Sequence, residues 1–174
     1  SRIVKTWLTV YRKDIASDVL KHEIRLASAR AERKGHKFAV RLNGTSDLDF
    51  YEIYESFPQV QFYDYTKNPE RVPLPNYHLT FSYSQANKAR FAHYKQAQAR
   101  GQAIAFPVRS DEFEQACELV DCFSMDKTDL RFLDKAGKYG ILKAKQTENL
   151  AEGIKENFIL SLAELKQIIA QIEA

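Results

Sequence analysis

The sequence predicts an α/β fold, a mostly parallel sheet or partial barrel of about six strands with flanking helices. Short apolar runs recur at intervals of roughly 20–25 residues, and stretches of helical period fall between them. Small polar residues gather just past the end of each apolar run, where a parallel β-α unit turns from strand to helix. An eight-stranded barrel needs about 250 residues, so the 174 residues here fit an open sheet or partial barrel. They are read as one domain over residues 1–174.

The elements follow in order. From about Arg12 to Lys34, Ile15, Val19, Leu20, Ile24 and Leu26 recur among charges at helical spacing, and Gly35 is placed to end that helix. Phe38–Leu42 reads as a strand, followed by a turn at Asn43–Asp47 whose small side chains hydrogen-bond backbone locally. Ser46 or Asp47 is placed to cap a helix through Tyr54 and Glu55, which must stop before Pro58. Val60–Tyr63 and Tyr77–Phe81 read as the next strands, then a helix over Gln85–Arg100 stopped by Gly101. Ala103–Val108 is a strand, Asp111–Ala116 a helix, Leu119–Phe123 a strand and Tyr139–Ala144 a last short strand. The stretch Asn157–Ile172 is amphipathic, with Phe158, Ile159, Leu162, Leu165, Ile168 and Ile169 on one side.

Composition sets the limits. Hydrophobic residues make up 44% and charged residues 28%, the balance of a globular chain and not of a disordered one. No apolar run approaches the 18 or so residues of a membrane span, and Ser1–Val10 holds none of the apolar run of a secretory signal. A cytoplasmic protein with no membrane partner is expected. The two cysteines, Cys117 and Cys122, cannot build a four-thiolate site. Read across a strand they point to opposite faces, so free buried thiols are expected. A formal charge of +3, from 26 basic and 23 acidic residues, permits a phosphate-bearing partner without indicating one.

In parallel α/β folds ligands bind beyond the carboxyl ends of the strands. Applied here, that rule selects Asn43, Thr45, Ser46 and Asp47 after the first strand, and Asp64, Thr66 and Lys67 after the second. It adds Ser82 and Ser84 after the third, Arg109 after the fourth, Asp126, Asp129 and Arg131 after the fifth, and Lys143 with Lys145 after the sixth. Each has a plainer reading: Asn43–Asp47 as a turn and cap, Asp64 with Lys67 as a surface ion pair, Asp129 with Arg131 as a loop pair. Joint placement on one rim favours ligand binding. Asp47, Asp64 and Lys67 are the candidates for catalysis, and Asp47 with Asp64 could hold Mg²⁺ against a phosphodiester. Glycine-rich phosphate loops and nucleophile elbows are absent, and the spacing of His22, His36, His78 and His93 forms no zinc motif. Tyr51, Tyr63, Tyr65, Tyr77 and Tyr83, near Lys67, Arg71, Lys88 and Arg90, could stack bases along a basic groove. Packing of Tyr63 and Tyr77 into the core is the favoured reading.

The runs Arg41–Asp47, Phe57–Lys67, Pro75–Ser82 and Asp129–Asp134 together resemble a family encoded by phages, prophages and plasmids, similar to the mycobacteriophage gene-product-88-like domain. The resemblance covers roughly residues 38 to 145. It implies no particular activity or cofactor. It does imply, for many members, a cysteine-rich segment upstream of the first helix, similar to that of iron–sulfur enzymes with a partial barrel such as radical SAM proteins. Those cysteines are not in this sequence.

Three functions are therefore weighed. The favoured one is nucleic-acid or nucleotide binding at the strand rim. The second is the core of a metal- or iron–sulfur-dependent partial-barrel enzyme that lacks its cysteine segment. The third is an accessory interaction protein whose C-terminal amphipathic helix forms a homo-oligomer interface.

Overall fold

The computed structural model describes residues 2–44, 46–84, 91–145, 151 and 158–174. Helices α1 (Arg2–Tyr11) and α2 (Lys13–Arg33) lead into β1 (Ala39–Val40), α3 (Tyr51–Ser56), β2 (Gln61–Thr66) and β3 (Tyr77–Ser82). Then come α4 (Phe91–Ala99), β4 (Ile104–Val108), α5 (Phe113–Cys117), β5 (Cys122–Ser124), a 3₁₀ turn at Arg131–Leu133, β6 (Tyr139–Lys143) and α6 (Leu162–Glu173). All six strands are parallel, in the order β1-β2-β3-β4-β6-β5. The α/β class, the parallel sheet and the flanking helices are as the sequence predicts; the sheet is open, with β1 and β5 at its edges.

Local chemistry explains most boundaries. Gly35 adopts a left-handed φ of 66° and closes α2 in a Schellman arrangement, with its N–H donating to Glu32 O at 2.9 Å and the His36 N–H to Ala31 O at 2.9 Å. Ser161 caps α6: its Oγ accepts the Glu164 N–H at 3.3 Å and its own N–H donates to Glu164 Oε2 at 2.8 Å. Pro107 sits inside the central strand β4 because pairing with β3 ends at Ala105, and the Leu160 N–H reaches Pro107 O at 2.9 Å beyond that point.

Several boundaries differ from the sequence reading. Strand β1 is trimmed from Phe38–Leu42 to Ala39–Val40, and β2 runs past Tyr63 to Thr66, so Asp64 and Thr66 lie in the strand and not after it. Helix α1 precedes the expected first helix. The helix expected from Ser46 or Asp47 starts only at Tyr51, because the Asn43 and Asp47 side chains are engaged by Ser46, Leu48, Thr66, Lys67 and Arg71. The strand expected at Leu119–Phe123 begins at Cys122. Asp121 has φ 61°, a left-handed turn residue that extended backbone cannot include. Cys117 therefore ends a helix while Cys122 opens a strand, and both thiols are free. Burial pushes the Cys122 thiol up to about 12, which keeps it protonated.

Alternation along the strands divides the sheet into two faces. One carries Phe62, Tyr77, Leu79, Phe81, Ile104, Phe106, Val108, Tyr139 and Ile141, buried in two clusters under the helices. On that face α6 packs Leu165, Ile168, Ile169 and Ile172 against the sheet and contacts α4, α5 and β4. The apolar stripe expected at an oligomer interface is thus consumed inside the chain. The other face carries Tyr63, Tyr65, His78, Thr80, Ser82, Ala105 and Gly140. Strand β5 lies beyond β6, so the chain from β5 to β6 runs back against the direction of the earlier crossovers. A right-handed return puts that connection on the face opposite α2–α6. There the 3₁₀ turn contacts β2 and β3, and Met125 fills the space above Gly140. No helix among the described residues is long and apolar enough to cross a membrane.

Candidate functional site

At the carboxyl ends of β1, β2 and β3 the structure opens a cleft of about 330 Å³, lined by Arg41, Asn43, Gly44, Ser46, Asp47, Tyr65, Thr66, Lys67 and Ser82. The strand-end rule therefore brings together Asn43, Ser46, Asp47, Thr66, Lys67 and Ser82. Thr45 lies outside the described residues.

Two loops form the walls. The first is pinned by Asn43, which is buried: its Oδ1 accepts the Ser46 hydroxyl at 2.8 Å and the Leu48 N–H at 2.9 Å, while Nδ2 donates to Leu48 O at 3.0 Å. The second is held to the first by Asp47. Its Oδ2 accepts the Thr66 hydroxyl at 2.8 Å and the Lys67 N–H at 2.9 Å, and its Oδ1 pairs with Arg71. Across the cleft the Arg41 guanidinium lies 4.9 Å from the Tyr65 ring centroid and 3.6 Å from the exposed carboxylate of Asp129. Lys67 Nζ lies 5.5 Å from the Phe158 ring centroid. Two cations, hydroxyls and an aromatic ring line the same cleft, a set suited to an anionic ligand with a flat group.

Beneath the cleft, on the helix side of the sheet, Asp64 is fully buried. Its Oδ1 accepts the Asn43 N–H at 2.9 Å. Its Oδ2 accepts Asn43 Nδ2 at 3.0 Å, the Tyr54 hydroxyl at 3.0 Å and the Tyr77 hydroxyl at 3.3 Å. Arg71 lies 3.9 Å away and also pairs with the Tyr77 hydroxyl. Tyr54 and Tyr77 stack at 3.9 Å, and burial beside the Asp64 charge raises both phenol pKa values, so both remain donors. Asp64 is therefore a clasp that orders Asn43 and the first loop. With Asp47 engaged as well, both carboxylates considered for Mg²⁺ are held by other groups, and among the described residues no three His, Cys, Asp or Glu side chains converge.

The remaining selected residues lie elsewhere. Ser84 is buried beyond β3. Arg109 donates its N–H to Leu160 O at 3.0 Å at the end of β4. Lys143 lies on the helix side, its Nζ 5.4 Å from the Phe113 ring centroid. Asp129 meets the cleft only through Arg41. Arg131 is not on the rim: it is fully buried, on the face of the sheet that carries Tyr65. Tyr65, a base-stacking candidate, lines the cleft, whereas Tyr51 packs edge to face on the buried Tyr77 at 6.1 Å. Arg41 was missed as a site residue. Its signal was available: a basic side chain at the end of the first expected strand, two residues before the Asn43 turn.

The fold and the cleft define a parallel α/β protein with a polar, cationic depression at the carboxyl ends of its first three strands. The chain belongs to the Gene product 88 family, which it matches over residues 1–160, a wider span than the motifs alone covered. No curated protein and no solved structure matches it.

Proposed function

We propose that the cleft at the ends of β1–β3 binds a phosphate-bearing ligand, either a nucleotide or single-stranded nucleic acid. The observation that carries this reading is that Arg41, Lys67 and Tyr65 line one cleft, with Arg41 over the Tyr65 ring, at the strand ends where parallel sheets bind ligands. The guanidinium and ammonium supply charge for phosphate, and the hydroxyls of Ser46 and Ser82 supply polar contacts. The loops are held by Asn43, Asp47 and Asp64, so the cations are positioned before the ligand arrives.

The test is titration of the full chain with a fluorescent oligothymidylate and with ATP at several salt concentrations. Binding that falls steeply with salt, and at least about tenfold on Lys67→Ala or Arg41→Gln, is expected. Absence of binding, or binding indifferent to salt and to both substitutions, rejects the reading.

A further inference from the structure

Helix α2 presents two faces, and the fold covers one of them. The inner face carries Ile24, buried in the core cluster with Leu20 packed beside it, and Ser17 and Lys21, which reach Glu52 of α3. The outer face carries Ile15, Val19, His22 and Leu26, all exposed. Val19 and Leu26 each keep 50% of their surface in water. A surface helix ordinarily turns charge outward at such positions. The steps between these four residues are 4, 3 and 4, the spacing of a coiled-coil seam, and Ala29 continues the row. The seam has no cover in the chain.

The charges beside the seam select what fits it. Asp18 and Arg25 stand on one flank, Glu23 and Arg30 on the other, and all four are exposed. A second α2 laid parallel brings unlike flanks together, setting Asp18 against Glu23 and Arg25 against Arg30. Both pairs repel. Laid antiparallel, like flanks meet: Asp18 faces Arg25 of the second copy, and Arg25 faces its Asp18. On the other flank Ala16 opposes Glu23, without conflict. In this register Ile15 packs on Leu26 of the second copy and Val19 on its His22. A slip of one heptad sets Asp18 on Asp18 or Arg25 on Arg25, so charge fixes both direction and register.

We propose that the outer face of α2 is a dimerisation seam, taken by a second copy of this chain in an antiparallel, two-fold arrangement centred between Leu20 and Lys21. The two-fold axis makes every contact twice, so the two Asp18–Arg25 pairs flank a short apolar row. Arg25 is held in place for this by its own chain, its guanidinium 5.6 Å from the Phe57 ring centroid. The paired stretch from Ile15 to Leu26 runs about 18 Å along the helix. A seam of that length is smaller than an obligate interface, which makes the dimer dependent on concentration. No residue of α2 lines the cleft, so the dimer leaves the cleft reading independent.

The experiment is sedimentation equilibrium of the full chain at low salt, over about 1–100 μM. The mass is expected to climb with concentration from 20.1 kDa toward twice that value. Val19→Glu combined with Leu26→Glu, both at exposed positions, is expected to hold the mass at 20.1 kDa throughout, with an unchanged circular dichroism spectrum. Asp18→Arg distinguishes the two directions. It makes both Asp18–Arg25 pairs repulsive and is expected to weaken an antiparallel dimer about 10-fold, whereas it turns the Asp18–Glu23 contact of a parallel dimer attractive and tightens it. Adding Arg25→Asp to Asp18→Arg restores the opposite charges and with them the affinity. A monomer at every concentration overturns the proposal. So does a dimer that survives the double glutamate variant, one tightened by Asp18→Arg, or one not regained in the charge swap.

Discussion

Asp64 sets the behaviour of the residues around it, because four hydrogen bonds from Asn43, Tyr54 and Tyr77 end on its two oxygens. Removing the carboxylate leaves these donors and the buried Arg71 without their acceptor. Asp64→Ala is expected to destabilise the chain by about 3–5 kcal/mol in urea unfolding, and Asp64→Asn, which keeps the volume, by less. If Asp64→Ala folds normally and only ligand binding is lost, Asp64 belongs to the site and not to its support. Two partly buried groups near Arg131 titrate with opposite sign. Burial, and then the Arg131 charge, lowers the His78 pKa below 6.5. The unfolded chain therefore takes up this proton more readily, and the stability His78 contributes above pH about 6.5 is lost as pH falls below it. Burial pushes Asp134 up to about 6, opposed by Arg131 and reinforced by Asp129. Here the folded chain holds the proton more tightly, so stability declines as pH rises from about 4 to about 6. Urea unfolding between pH 4 and 7 checks both: His78→Gln removes the acid-side loss, and the advantage of wild type over Asp134→Asn shrinks between pH 4 and 6. None of this was legible beforehand. Asp64 and Arg131 follow apparent strand ends in sequence, and only the pleat and the return of the chain decide that one lies under the helices and the other on the opposite face.

At the scale of elements, strands with strong apolar runs were legible and boundaries set by side-chain accounting were not. Tyr77–Ser82 and Ile104–Val108 extend or trim the expected strands by a residue, since their buried side chains leave little choice. The helix after the Asn43 turn started late because Asn43 and Asp47 bind the turn itself and the next strand, and no local pattern reveals a partner about 20 residues away. Two elements offer sharp tests. The capping box of α6 satisfies the N–H groups of Ser161 and Glu164, so Ser161→Ala is expected to cost about 1 kcal/mol, read as a lower melting temperature. Gly140 lies under Met125, and a Cβ there would come within 2.1 Å of Sδ and 2.6 Å of Cγ. Gly140→Ala should cost about 1–3 kcal/mol by overpacking, and Met125→Ala in the same chain should recover part of it.

The whole molecule spends its amphipathic helices unequally. Helix α6 buries Leu165, Ile168, Ile169 and Ile172 in the larger core cluster, at about 1.5–3 kcal/mol each, a sum comparable with the entire stability of an ordinary domain. Deletion of residues 162–174 is therefore expected to abolish cooperative thermal unfolding, followed by circular dichroism, and not merely to change an oligomeric state. Helices α1 and α2 instead leave apolar side chains uncovered: Trp7, Val10, Tyr11, Val19 and Leu26 are each at least half exposed. The α/β class and the rim were legible because both follow from the order of strands and helices. The strand order was not, because β6 enters between β4 and β5 with no mark in its composition.

That insertion has a consequence for synthesis. Strands β4 and β5 are consecutive in the chain but do not pair, so the β6-side edge of β4, including the Ile104 N–H that donates to Lys138 O, finds its partners only once Lys138–Lys143 has left the ribosome. At about 5–20 residues per second, a nascent chain carries this bare, apolar strand edge for roughly 2–6 s. An unpaired edge of that kind invites pairing with other chains, so the interval between translating β4 and β6 is when this protein most needs a chaperone's cover.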